Sequence, residues 1–175
     1  DQLPEAALEE LAHSGGWVKI IGDFVDESGL TPNYRLEALV ETAKQVHAGS
    51  GRITMHASIP ESIQLAIDAG FDGIEHGMVI EASQVDQMAD TGMTWTPTAI
   101  IDDIVRQSTP DMLGPDRAAV FNARMEDHGE RIRQAHERGI RILAGSDAGM
   151  TPHGVVANEI RLLHAFGLPA EAALA

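Results

Sequence analysis

Four residues of kinds that do chemistry sit near the ends of four separate apolar runs. Lys19 lies in "WVKIIGDF", His56 in "RITMHAS", His76 in "GIEHG" and Asp147 in "RILAGSDAG". Two imidazoles and a carboxylate are the nitrogen and oxygen donors that suit a catalytic divalent cation, most often zinc. The lysine raises a different question, because an amine is almost never buried without a partner. Burial disfavours its charged form, and a neutral amine is a nucleophile that can attack a substrate carbonyl.

Each of these residues also has a plainer reading. A histidine after a strand is often a hydrogen-bonded structural or surface group. Asp147 in "GSDAG" could cap a turn or the following helix, and Lys19 could snorkel to solvent. What makes the set harder to dismiss is its recurrence at one end of four similar segments.

The elements that must position them alternate in type. A helix is expected at "PEAALEELAHSG", with Pro4 in its first turn and Gly15 after its last. Strand-like "WVKIIGDF" is followed by helical "RLEALVETAKQVHAGSG", strand-like "RITMHAS" and helical "PESIQLAIDAG". Then come "GIEHG", helical "EASQVDQMADTG", strand-like "TWTPT" and a helical stretch over 100–139 with a break near "STPDMLGPD". The last strand reads as "RILAGSDAG", before helical "VVANEIRLLHAFG". Strands alternating with helices imply βαβ units and a parallel sheet. Period-two alternation puts Trp17, Lys19, Ile21 and Asp23 on one side of the first strand, Thr54 and His56 together on the next, and Leu143, Gly145 and Asp147 together on the last. A doubly wound sheet and part of a (β/α)8 barrel both fit. The barrel is favoured because the polar residues fall at the C-terminal rim, where barrel active sites are built.

Composition narrows the partners. The 175-residue chain carries a formal charge of −15, which leaves no basic face for nucleic acid or an anionic membrane. A small-molecule substrate is expected instead, and a homo-oligomer is compatible with it. With no cysteine, thiolate catalysis and Cys-based zinc sites are excluded. No apolar run approaches the roughly 20 residues of a membrane span. The start has no signal-peptide pattern, which leaves the compartment open with the cytoplasm favoured.

"WVKI", "TMHAS", "GIEHG" and "LAGSDAGMTPHG" resemble, in this order, the strand 4, 5, 6 and 8 motifs of the amidohydrolase superfamily, chiefly its imidazolonepropionase-like and Xaa-Pro dipeptidase-like members. The resemblance implies an α/β fold, a partial (β/α)8 TIM barrel of about strands 4 to 8. It implies that Lys19 is carboxylated by CO2 to a carbamate bridging two metals, and that His56 and His76 are metal ligands. Asp147 would bind metal and act as the general base that takes the proton of an attacking water. The implied cofactor is a divalent metal, one or two ions, with Zn2+ expected. His153 in "TPHG" lies where it could contact substrate.

The chain departs from the family pattern in two respects. The His-x-His pair of the family's strand 1 has no counterpart, since none of the eight histidines lies two residues from another. Strands 1 to 3 and the small β-sandwich are also missing from the pattern. Residues 1–175 are therefore expected to form an incomplete metal-dependent hydrolase barrel domain, a fragment of a longer chain and inactive alone. The expected activity is cleavage of a C–N amide bond, dipeptide-like or cyclic. Two other readings stand beside it: a Schiff-base lyase or aldolase using Lys19, and a non-catalytic or split subunit needing a partner chain. Asp23 is expected to hydrogen-bond near the rim and Glu75 to be structural. His13, His47, His128, His136 and His164 are expected at surfaces or in packing, and the stretch over 100–139 could supply a lid.

Overall fold

A computed structural model describes residues 2–27 and 29–174. The chain opens with α1 (Leu3–Ser14) and continues through β1 (Trp17–Ile21), β2 (Asp23–Asp26), β3 (Gly29–Pro32), α2 (Leu36–Ala48), β4 (Arg52–Ala57) and α3 (Pro60–Asp68). It goes on with β5 (Gly73–His76), α4 (Ala82–Thr91), β6 (Thr94–Thr96), a 3-10 turn at Ala99–Ile101, α5 (Asp102–Leu113), α6 (Pro115–Met125) and α7 (His128–Glu137). β7 (Arg141–Ile142), α8 (Val156–Ala165) and α9 (Ala170–Leu174) complete it.

Local chemistry sets these boundaries. α3 starts at Pro60, whose fixed φ suits a first helical position, after an extended Ile59 with ψ 154°. α4 opens with a capping box between Glu81 and Gln84 and closes on Gly92 in the left-handed region. The helical stretch breaks at Gly114, with φ 78°, and not at Pro110, which lies inside α5. A proline there leaves the carbonyl of Arg106 without its usual N–H partner. That carbonyl instead accepts from side chains, the Asn122 amide of α6 at 3.1 Å and the Thr109 hydroxyl of α5 at 3.1 Å.

Five strands form one parallel sheet in the order β1-β4-β5-β6-β7. Because each crossover steps to the next strand in the same direction, right-handed connections place the helices on one face. That order decides between the two architectures the sequence allowed. The fold is α/β, part of a (β/α)8 barrel, and not a doubly wound sheet. Burial follows the same division. Val18, Ile20, Ile53, Met55, Ile74 and Trp95 are buried towards the helices, against Leu39, Val46, Ile63, Val85, Met88 and Ile132. Trp17, Lys19 and Ile21 on the other face of β1 are exposed. A second, smaller core of Met78, Val79, Ile101 and Met125 lies beneath α5 and α6.

Two features differ from the sequence reading. After β1 the chain forms an antiparallel hairpin of β2 and β3, where alternation had suggested only the end of a strand. Gly22 makes the turn possible, since a Cβ there would stand 2.7 Å from the His56 carbonyl oxygen. The last strand is also far shorter than "RILAGSDAG". Beyond Ile142 only the Leu143 N–H continues the pairing, donating to the Trp95 carbonyl at 2.8 Å. Among the described residues, no helix is long and apolar enough to cross a membrane.

Gly77 lies just past β5 with φ 63°, and a Cβ on it would stand 2.8 Å from Trp95 Nε1. Gly77→Ala is expected to lower the unfolding free energy by roughly 1–3 kcal/mol, from backbone strain and displacement of the indole. Urea denaturation checks this; a loss below about 0.5 kcal/mol would show that the turn accepts a side chain.

Candidate active site

Strand register assigns the site its faces. Lys19 pairs in register with Thr54, and His56 with Glu75, so Lys19, His56 and Glu75 share the face turned away from the helices. The Lys19 ammonium reaches across β4 to Glu75, 2.6 Å away, and its side chain remains 39% exposed. This corrects one expectation: Lys19 is not a buried amine, because the face of β1 that carries it is open. Glu75, expected to be structural, pairs with Lys19 from the strand phase of His56.

His76 takes the opposite phase and would point with Ile74 towards the helices if the strand continued regularly. It does not, because His76 has φ 69°. This left-handed turn at the last residue of β5 brings its ring beside His56, with ring centroids 4.6 Å apart and planes inclined at 67°. The conformation is held from behind. The His76 carbonyl accepts hydrogen bonds from Trp95 Nε1 at 3.0 Å and from His128 Nε2 at 3.2 Å. His128, read from the sequence as a surface or packing residue, is 1% exposed and places Nδ1 2.9 Å from the Asp102 carboxylate. Its position at the start of α7 carried no periodic signal that could have revealed this. The remaining helical histidines fit the expectation better: His13 Nδ1 meets the Glu9 carbonyl and His164 Nδ1 the Leu168 carbonyl.

Asp23 is fully buried. Its Oδ2 accepts the backbone N–H of Ser58 at 2.7 Å and of Ile59 at 3.3 Å, tying the hairpin to the end of β4. Its Oδ1 lies 3.3 Å from His56 Nε2, yet it has no hydrogen bond of good geometry and stands as a buried oxygen without a partner. Burial pushes the Asp23 carboxyl up, but the His56 ring and the Ser58 N–H outweigh it and hold the group below its ordinary 3.8. Burial, followed by the nearby positive charges of His56 and Lys19, pushes His76 down to about 3. His76 is therefore a neutral imidazole across the physiological range, with one nitrogen lone pair to offer.

Asp147 lies outside the strands, in a left-handed conformation with φ 47°. Its carbonyl accepts the N–H groups of Met150 and Thr151, and the Thr151 hydroxyl donates to the Ser146 carbonyl, which closes the loop on itself. His56, His76, Asp147 and Asp23 line one cavity of about 240 Å3. Its other walls are mostly apolar, with Phe24 and Leu30 from the hairpin and Ile101, Val105, Met112 and Phe121 from the α5–α6 region. Lys19 and His153 are not in that wall, and His153 is exposed on the loop after Asp147.

In kind, these donors fit a divalent cation: two adjacent imidazoles, one of them neutral, and a buried carboxylate oxygen without a partner. In place, they are not gathered into a ready-made cage. Among the described residues, no group of three or more His, Cys, Asp or Glu is arranged to hold a metal ion.

A sequentially ordered parallel sheet with imidazoles and a carboxylate around a cavity at its C-terminal rim is the arrangement of part of a (β/α)8 barrel, whose sites lie at that rim. Comparison with known proteins agrees. In structure the chain is similar to Xaa-Pro dipeptidase and prolidase structures of the amidohydrolase superfamily. A Xaa-Pro dipeptidase with methionine bound in its active site superposes with a TM-score of 0.76 at 26% identity, over 97% of this chain and 44% of that one. A prolidase structure from Bifidobacterium longum superposes with a TM-score of 0.76 at 25% identity, over 98% and 45%. In sequence, an uncharacterized protein of Mycobacterium tuberculosis (strain ATCC 25618 / H37Rv) is 32% identical over 182 residues, 99% of this chain and 48% of the relative. The chain thus spans about half the length of the curated relatives it matches. No protein-family model matches it.

The folded state holds His76 at about 3, against an ordinary 6.5. The unfolded chain therefore takes up a proton that the folded state refuses. This contribution to stability is complete above pH 6.5 and is lost as pH falls from 6.5 towards 3, by about 1.4 kcal/mol per pH unit. His76→Gln is expected to flatten the stability profile across that window, measured by urea unfolding between pH 7 and 4. An unchanged slope would contradict the buried, neutral state of the ring.

Proposed function

We propose that these residues form one barrel unit of a metal-dependent hydrolase that cleaves a C–N amide bond in a small dipeptide-like or cyclic amide substrate. The observation that supports this reading most is the meeting of His56, His76 and Asp147 in the wall of one cavity at the C-terminal rim. His56 and His76 would hold a divalent ion, with Zn2+ the expected species, and the unpartnered Oδ1 of Asp23 beside His56 would complete or orient the set. When bound, such an ion polarises the scissile carbonyl and acidifies water. Asp147 takes the proton of the attacking water and passes it to the leaving amine, the role of a general base and then acid. Its locked loop suits the task, since a general base must keep its oxygen within hydrogen-bond reach of the proton it moves.

Lys19, if carboxylated, would offer oxygen donors to such an ion. Reaction with CO2 forms an N–C bond at the amine and releases two protons from the ammonium, one of which Glu75, 2.6 Å away, can accept while the other passes to solvent. Once carboxylated, the side chain carries negative charge and two donor oxygens, which no longer attract Glu75 and instead suit a cation. The substrate sits under the hairpin and the α5–α6 region, whose apolar side chains favour an apolar group next to the scissile bond.

Three measurements test this reading in the intact protein. Asp147→Asn is expected to lower kcat by at least about 10²–10⁴-fold with the unfolding midpoint unchanged; near-normal turnover would remove Asp147 as the base. Lys19→Ala is expected to lower bound metal per protein, with partial rescue by short carboxylic acids, and unchanged stoichiometry would argue against the bridge. Among amides differing only in the side chain beside the scissile bond, Leu or Phe is expected to exceed Glu or Lys in kcat/KM by about 10–200-fold. The reverse order would contradict an apolar subsite.

A further inference from the structure

The His76 ring makes one hydrogen bond whose direction can be worked out. Its Nδ1 lies 2.7 Å from the Thr98 hydroxyl oxygen. That hydroxyl donates to the Pro97 carbonyl, also at 2.7 Å. A hydroxyl has one proton, and a carbonyl can only accept. With its proton directed to Pro97, the Thr98 oxygen accepts, and Nδ1 of His76 is assigned the hydrogen. Nε2 is then the nitrogen with the lone pair, on the side of the ring away from Thr98.

Thr98 does not adopt its conformation cheaply. It is buried, and its backbone sits at φ 51°, ψ 40°, a left-handed geometry that disfavours a β-branched residue. Something outside the turn has to hold it. The Glu159 side chain, from α8, does so: Oε1 accepts the Ala99 N–H at 3.0 Å and Oε2 the Ile100 N–H at 2.7 Å. Glu159 is fully buried, and neither it nor Thr98 lines the cavity. A carboxylate with no contact to the cavity thus clamps the two N–H groups that follow the residue bonded to His76. Charge-assisted bonds of this type are about twice as strong as neutral ones.

We propose that Glu159 and Thr98 are positioning residues for His76: the Glu159 carboxylate fixes the turn over 98–101, and the Thr98 hydroxyl held there selects the Nδ1–H tautomer and so presents Nε2 as the donor atom. The ring is then restrained from two sides, by Thr98 at Nδ1 and by Trp95 and His128 at its own backbone carbonyl. Any chemistry His76 performs, as a metal ligand or as a hydrogen-bond acceptor, uses Nε2. Geometry carries this independently of the hydrolase assignment, and the test below needs no turnover.

The experiment is ¹⁵N-imidazole NMR on the intact protein at pH 7.5, with the His76 signals assigned through His76→Gln. The wild type and Thr98→Ser, which keeps the hydroxyl, are expected to show protonated Nδ1 and bare Nε2. Thr98→Val, of the same shape without a hydroxyl, is expected to move the ring towards the Nε2–H form. Glu159→Gln, which retains one acceptor oxygen and puts an amide donor against the other N–H, is expected to give a mixture. Titration with Zn2+ alone is expected to show binding weakened about 10–100-fold in Thr98→Val and Glu159→Gln but close to wild type in Thr98→Ser. An Nε2–H tautomer in the wild type overturns the proposal. So does an unaltered Nδ1–H signature in Glu159→Gln, even if Thr98→Val fails to fold. Loss of Zn2+ binding in the wild type with the tautomer as expected would count against the metal reading and leave the positioning role standing.

Discussion

The site rests on a single peptide oxygen. Two donors, an indole N–H from β6 and an imidazole from the start of α7, converge on the carbonyl of His76. An ordinary strand end would leave that oxygen in the ladder or in water. Here its capture keeps His76 in a left-handed conformation that a non-glycine residue adopts only when its surroundings insist. The turn converts a side chain with the phase of the helix-facing layer into one that stands against His56. Gly77 follows because the indole leaves no room for a Cβ, and Asp102 follows because it orients the imidazole of His128. Without this constraint the two imidazoles would lie on opposite sides of β5.

The sequential strand order has a second consequence. With the helices on one side, the opposite side of the sheet is left to carry polar groups, and there Lys19 and Glu75 find each other across β4. An ion pair with one partner 39% exposed contributes little to stability. Its importance is positional: it draws the Lys19 side chain across β4 to Glu75. The pair and the imidazoles therefore belong to one surface, though they reach it by different means. Lys19 and Glu75 do so by strand phase, and His76 by breaking it.

Buried carboxylates do the connecting. Asp23 ties the hairpin to the end of β4 through the N–H groups of Ser58 and Ile59, and Glu159 ties α8 to the turn after β6. The two respond oppositely to burial. Asp23 is held below its ordinary value because neighbouring donors outweigh desolvation, whereas burial pushes Glu159 up to about 7 despite its two backbone partners. Both use carboxyl oxygens as acceptors to organise irregular backbone at the rim, the part of the structure where no sheet ladder can satisfy it. The apolar hairpin and α5–α6 side chains then cover the cavity that this backbone surrounds.

Much of this was legible in the residues alone. The alternation of strands and helices followed from apolar periodicity and from Pro60, Gly92 and Gly114 as punctuation, because those residues act through their own backbone limits. The ends of the strands named His56, His76 and Asp147, and the structure does place those three around one cavity. Local pattern also misled, and always where a distant partner decided the outcome. Strand phase separated Glu75 from His76 but could not say which of them would leave the ladder, since the donors that bend His76 lie in β6 and α7. The helical setting of His128 concealed a residue buried beneath the site. The hairpin was hidden because two short strands with mixed polarity carry little periodic signal. What the sequence determined by itself was the list of elements and the chemistry available at their ends, because backbone propensity and side-chain type are local. Which side chains face one another, and in what protonation and tautomer, was decided only when strands far apart in the chain packed side by side, because hydrogen-bond partners and burial come from neighbours in space.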